Sequence, residues 1–216
     1  MVQTPHENSY DSAWPNKKDN VFVKTQRSSQ PIMQQVSKID ELLEHHGPSL
    51  EDRYRNGYYD AFRVLADRWQ EGQHSNLVFP LLFCARHYVE LSIKSLIKLY
   101  SELTNERPTG KVEVHFIDRL WSEALRLIQL ASNMPDAPQG TLEHVKRVLN
   151  EFHQIDSNSV LFRYSTNAAG QSIKTELPAV NAQQIKETMK GLHNFFDGCE
   201  CIGKDWLEGK RDAASA

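Results

Sequence analysis

Arg86, His87, Glu90, Lys94 and Lys98 are spaced so that, at about 100° per residue, all five fall on one side of a single helix. Guanidinium, imidazole, carboxylate and ammonium groups in one stripe are what an anion-binding or proton-transfer site uses. The rest of residues 77–101 is apolar: Leu77, Val78, Leu81, Leu82, Cys84, Ala85, Val89, Leu91, Ile93, Leu96, Ile97 and Leu99. A helix that apolar sits deep in a helical assembly, so its ionic groups either border a cleft or pair in an internal seam. Arg86, Glu90 and Lys94 stand at four-residue steps, the spacing of an intrahelical salt-bridge ladder. The other arrangement sets Arg86, His87 and Lys94 around a phosphate or carboxylate. A buried ionic stripe is costly unless paired, which favours the ladder.

Two further sets carry chemistry. Phe162-Arg163-Tyr164 follows Asp156 and Ser157. On a strand, alternating side chains put both rings on one face and the guanidinium on the other. Arg163 then either pairs with Asp156 or Glu90 while the rings pin the segment, or points into the same cleft as Arg86. Arg147 and His153 form the last set, an Arg followed by a His six residues on, and Arg68 with His74 repeats that spacing across Gly72. No phosphate-cradling Gly-rich loop, His-Glu-x-x-His, nucleophile elbow or cluster of metal ligands occurs, so no metal or cofactor is expected.

The elements that must position these groups are helical. The first long helix begins at Ser49, with Asp52 as its capping partner, carries Tyr54, Tyr58, Phe62, Leu65 and Trp69, and stops at Gly72. The second spans 77–104. The third follows Pro108-Thr109-Gly110, buries Phe116, Leu120, Ala124, Leu127 and Ile128, and closes at Pro135. The fourth starts at Thr141 with Leu142, Val145, Leu149 and Phe152. The fifth starts at Asn181, capped through Gln184. Its seam of Ile185, Met189, Leu192, Phe196, Cys199, Ile202 and Trp206 is nearly heptad, the mark of a helix packed along another at a shallow angle. Between the last two helices, Val160–Tyr164 reads as a strand, Thr166–Gly170 as a turn and Ser172–Leu177 as the returning strand. The expected fold is all-α: an up-and-down bundle of about five helices over 49–208, with a small β-hairpin inserted before the last. Residues 1–48 form a polar arm with Trp14 and Phe22 as anchors and one short helix around Ile39, Leu42 and Leu43. Residues 209–216 form a flexible tail.

Composition narrows the function classes. With 216 residues and a formal charge of −3, the chain is large enough for a sizeable core and lacks a broad basic face for duplex DNA. Three cysteines make no disulfide framework, and no apolar run reaches membrane-spanning length, so a cytoplasmic protein free of the membrane is expected.

Arg86-His87-x-x-Glu90-Leu91-x-x-Lys94 inside an apolar helix resembles the second helix of HEPN-type proteins. His115 opening the next helix resembles them too, as does Glu151-Phe152-x-x-Ile155-Asp156 running through Ser159 into Phe162-Arg163-Tyr164 and a Gly170 turn. The resemblance spans residues 50–208. It implies a helical bundle, commonly a homodimer, of the kind found in prokaryotic toxin–antitoxin and phage-defence systems. Some such modules bind RNA, nucleotides or a partner protein encoded nearby without catalysis, and others are metal-independent ribonucleases. In the ribonucleases an Arg and a His four to six residues later assist attack of a ribose 2′-hydroxyl on the adjacent phosphate, a role that would pass to Arg147 and His153 here. That spacing arises about 1.5 times by chance with this many Arg and His residues. The first expectation is therefore a non-catalytic module binding its ligand through Arg86, His87, Glu90, Lys94, Asp156, Arg163 and Tyr164. The alternative is a toxin-like endoribonuclease using Arg147 and His153. Gly191 and Gly198, seven apart beside the last seam, would admit the partner helix of a homodimer.

Overall fold

The computed structural model describes residues 49–72, 75–132, 139–167, 169–173 and 179–215, all within one compact unit, His46–Ala216. The polar arm, with Trp14, Phe22 and the short helix expected around Leu42, lies outside the described residues, as do Pro135 and Lys174–Leu177. Five α-helices make up the described fold: α1 Leu50–Gln70, α2 Val78–Thr104, α3 Ile117–Ser132, α4 Gln139–Ile155 and α5 Ala182–Ser215, with one 3-10 turn at Ser75–Leu77.

α2 is the axis of the bundle. α1, α3 and α5 all pack on it, α4 leans on α3, and α1 also meets α5. Its apolar character explains the position, because Leu81, Ala85, Val89, Ile93, Leu96 and Ile97 are all buried. The helix closes at Asn105, whose left-handed backbone (φ +57°) lets the Glu106 N–H return to the Ser101 carbonyl at 3.2 Å. α1 and α3 each bury one stripe on this axis: Phe62 and Ala66 from α1, Ile117, Leu120, Trp121, Ala124 and Leu127 from α3. α4 contributes Val145, Val148, Leu149 and Phe152.

The expected caps are present. Ser49 Oγ accepts from the Asp52 N–H at 3.1 Å and donates to the Asp52 carboxylate at 2.8 Å. Asn181 Oδ1 accepts from the Gln184 N–H at 3.0 Å. Each satisfies a backbone donor that the first turn of a helix leaves orphaned. The long α2–α3 connection is tied down by Glu123, which accepts the Thr109 N–H at 3.0 Å, the Thr109 hydroxyl at 2.6 Å and the Arg126 guanidinium at 2.6 Å. Arg126 first, and Thr109 after it, hold that carboxyl down at about 2.

Three expectations are corrected. Among the described residues there is no strand. In place of the hairpin, residues 161–163 form a turn in which the N–H groups of Arg163 and Tyr164 both return to the Val160 carbonyl, at 3.1 and 3.0 Å. A single isolated antiparallel bridge, Thr166 with Ser172, closes the Gly170 turn. Tyr54 is exposed, not part of the α1 stripe. The heptad seam of α5 fails at Ile202, which is 49% exposed, and Gly203 and Leu207 take its place. A Cβ on Gly203 would stand 2.8 Å from Leu99 Cδ2 and 3.1 Å from the Tyr100 ring, so α5 rolls its small residue onto α2. The Tyr100 hydroxyl fastens the contact by donating to the Cys199 carbonyl at 2.8 Å. α5 also continues through Ser215, making residues 209–215 its last turns.

Gly203→Val is expected to destabilise the domain by about 1–3 kcal/mol through overpacking. Gly203→Ala should cost less, because it regains about 1 kcal/mol of helix propensity. Urea denaturation checks both, and an unchanged Gly203→Val midpoint would contradict the close approach.

Candidate functional site

The stripe on α2 divides into an interior half and a surface half. Arg86 is 0% exposed and Glu90 1%. A guanidinium so placed must satisfy its donors within the protein. Its Nε donates to the Asp156 carbonyl at 2.8 Å, Nη1 to Glu90 at 3.0 Å, and Nη2 to the carbonyls of His115 at 2.6 Å and Ser157 at 3.4 Å. The Asp156 carboxylate supplies a second countercharge, with Oδ2 3.8 Å from Nε. Glu90 completes the set: its other oxygen accepts from Lys94 Nζ and lies against His115 Nδ1, both at 2.8 Å. Burial pushes the Glu90 carboxyl up, but the hydrogen bonds and charges of Lys94 and His115 outweigh it, and the net shift is downward.

This network shapes the surface beside it. Asp156 Oδ1 accepts the N–H groups of Val160 and Leu161 at 2.8 and 3.1 Å. Ser159 adopts a left-handed backbone (φ +61°), and the chain folds into the turn that carries Arg163 and Tyr164. Arg163 Nε donates to the Ser159 carbonyl at 2.5 Å. Its guanidinium carbon lies 5.8 Å from the Phe83 ring centroid and 5.2 Å from that of Tyr164, within cation–π range. Phe83 stacks on His87 at 5.4 Å, and the edge of Tyr58 meets His87 at 4.4 Å. Burial, ahead of neighbouring charges, pushes the His87 imidazole below its ordinary value, so at neutral pH it offers a ring and no charge. Tyr164 is 55% exposed.

The sequence-derived anion set is thus split. Arg86, Glu90 and Asp156 meet inside, and Lys94 and His115 reach Glu90 from the surface side. His87, Arg163 and Tyr164 meet outside, joined by Phe83 and Tyr58. Lys94 borders a separate hollow with Tyr54, Leu91 and Val112, and none of the described cavities has both Lys94 and Arg163 in its wall. Arg147 and His153 do not face each other. Six positions on a helix point them about 120° apart around the axis and separate them by about 9 Å along it. Arg147 is exposed and paired with Glu151 at 2.7 Å, whereas His153 Nδ1 lies 3.2 Å from Asp118 on α3. Arg68 pairs with Glu71, and His74 lies outside the described residues. Gly191 and Gly198 have nothing within 4 Å of an added Cβ.

Sequence reasoning missed the tyrosine–histidine pair between α2 and α5, where the Tyr88 hydroxyl stands 2.8 Å from His193 Nδ1. Tyr88 sits among core residues and gives no polar signal. Among the described residues no group of three or more His, Cys, Asp or Glu side chains is arranged to hold a metal, and no helix is long and apolar enough to cross a membrane.

Compared with protein-family models, with curated proteins and with solved structures, the chain matches none.

Removing one member of the buried pair is expected to leave an uncompensated charge: Arg86→Met should cost about 3–5 kcal/mol. Because the folded Glu90 carboxyl lies below its unfolded value of 4.5, its contribution is complete above that value and fades as pH falls through the folded one. The stability gap between wild type and Glu90→Gln should therefore narrow below pH 4.5. A gap that stays constant in urea titrations from pH 7 to pH 4 would contradict an ionised Glu90 in the interior.

Proposed function

We propose that the chain is a HEPN-like helical module that binds single-stranded RNA without cleaving it, through the surface of Arg163, Tyr164, Phe83 and His87. The observation that carries this reading is the state of Arg163. Its Nη1 and Nη2 have no hydrogen-bond or ion-pair partner among the described residues, while its plane lies beside two aromatic rings. An unpaired guanidinium suits a phosphate oxygen, and exposed rings suit an unstacked base, each stack being worth about 1–3 kcal/mol. The buried Arg86 is fully engaged and acts on this surface by fixing the turn. A chain of net charge −3 favours such local recognition over a broad electrostatic grip.

A second reading, metal-independent cleavage of RNA, has one observation behind it. A carboxylate stands beside the His153 imidazole: Asp118 Oδ1 lies 3.2 Å from Nδ1, with no hydrogen bond between them. Arg147 is held by Glu151 on another face of α4, so the charge-stabilising partner of the family mechanism is missing from His153's side.

Fluorescence anisotropy with a labelled single-stranded oligoribonucleotide in EDTA separates the two. Saturable binding of intact RNA is expected, weakened roughly 5- to 150-fold by Tyr164→Ala, which corresponds to the loss of one stack. Arg163→Ala should weaken binding and flatten the plot of log affinity against log salt by about 0.7, one phosphate contact. Affinity unchanged in both variants sinks the proposal. Cleavage leaving 2′,3′-cyclic phosphate ends, and abolished by His153→Ala, establishes the second reading.

A further inference from the structure

α1 and α5 flank a polar cavity of about 380 Å³, within the size range of small-ligand sites and away from Arg163. Tyr88, 2% exposed, forms its floor. Burial pushes that phenol up to about 12, so it stays protonated, with its oxygen 2.8 Å from His193 Nδ1. With the phenol donating to Nδ1, the imidazole presents an Nε2–H donor to the cavity. The Tyr59 ring stacks on His193 at 4.2 Å and holds its plane. Neither His193 Nε2 nor the Tyr59 hydroxyl has a hydrogen-bond partner among the described residues.

The charges around this cavity are unevenly matched. Glu200, buried in its wall, is neutralised by Arg55 and Lys204. Arg63 is tied to Asp60 only by a long 3.6 Å contact and is largely exposed, so its guanidinium is available. Asp197, one helical turn beyond His193, has no hydrogen-bond or ion-pair partner among the described residues. Three donors (Arg63, Tyr59 and His193) thus share a cavity with two exposed carboxylates, Asp197 and Asp60, the second held only by that long contact. A bare anion gains from the donors but meets Asp197. A ligand that brings an anionic head and hydroxyl donors satisfies both.

We propose that this cavity binds a small hydroxylated phosphate monoester, with the phosphate on Arg63, Tyr59 and His193 and a ligand hydroxyl donating to Asp197. Sugar phosphates and nucleoside monophosphates share that chemistry, and ribose 5-phosphate is its smallest common form. The test is isothermal titration calorimetry of the full chain with ribose 5-phosphate, adenosine monophosphate and inorganic phosphate. Both esters are expected to bind saturably, and inorganic phosphate at least tenfold more weakly. A tighter adenosine monophosphate assigns the site to nucleotides, and equal affinities assign it to the sugar phosphate. Arg63→Ala and Asp197→Asn, both at solvent-facing positions, should each weaken ester binding at least tenfold while leaving the thermal melt in place. Asp197→Asn should also narrow the preference for ester over inorganic phosphate. Absence of ester binding at millimolar concentration, binding indifferent to both substitutions, or inorganic phosphate binding as tightly as the esters overturns the proposal.

Discussion

A guanidinium in the middle of a helical bundle is the constraint around which this domain is arranged. Moving an ion of that size out of water costs several kcal/mol even after relaxation, and Arg86 recovers that because every nitrogen of its planar fork meets an acceptor. The acceptors come from three places in the chain: Glu90 one turn along α2, the His115 carbonyl at the entry to α3, and the carbonyls of Asp156 and Ser157 just past α4. Hydrophobic burial holds the helices together without strongly choosing their register. The fork chooses it, since a one-residue slip of any contributor would strand a buried charge.

The surface inherits that order. Asp156 faces two ways: its backbone carbonyl and one carboxylate oxygen lie against Arg86, while the other oxygen gathers the amides of Val160 and Leu161. The turn so formed delivers Arg163 to the Phe83 ring and leaves Tyr164 in water. Interior and exterior are two ends of one hydrogen-bonded chain that runs from Arg86 through Asp156 to the turn. By contrast, the α1–α5 cavity depends on a separate pair, Tyr88 with His193, on another side of α2.

Local signals in the sequence carried the helices and their caps. Ser49 with Asp52, Asn181 with Gln184, and the mostly apolar character of α2 each act within a few residues and need no tertiary knowledge. The four-residue ladder from Arg86 through Glu90 to Lys94 was legible for the same reason, and it lies inside the protein as the cost of an unpaired charge requires. Contacts made across the fold were not legible. His115 reaches Glu90 from 25 residues away, and Tyr88 meets His193 across 105. Phe162-Arg163-Tyr164 has the alternation of a strand, yet its amides return to Val160, under the Asp156 carboxylate that has already gathered those of Val160 and Leu161. The α5 seam departs from its heptad because one glycine permits a closer approach than Ile202 can. The Arg147–His153 spacing satisfied a pattern along the chain, whereas helical rotation sends the two side chains to different neighbours.

Hydrogen exchange at the Val160 and Leu161 amides in Arg86→Lys tests the account most directly. Lysine keeps the charge but has no fork to span Glu90, His115 and Asp156 together. Protection at those two amides is expected to fall at least tenfold while the amides of residues 189–196 in α5 keep theirs. Protection at Val160 and Leu161 equal to that of the wild type would show that the turn stands without the buried guanidinium, and the account would be wrong.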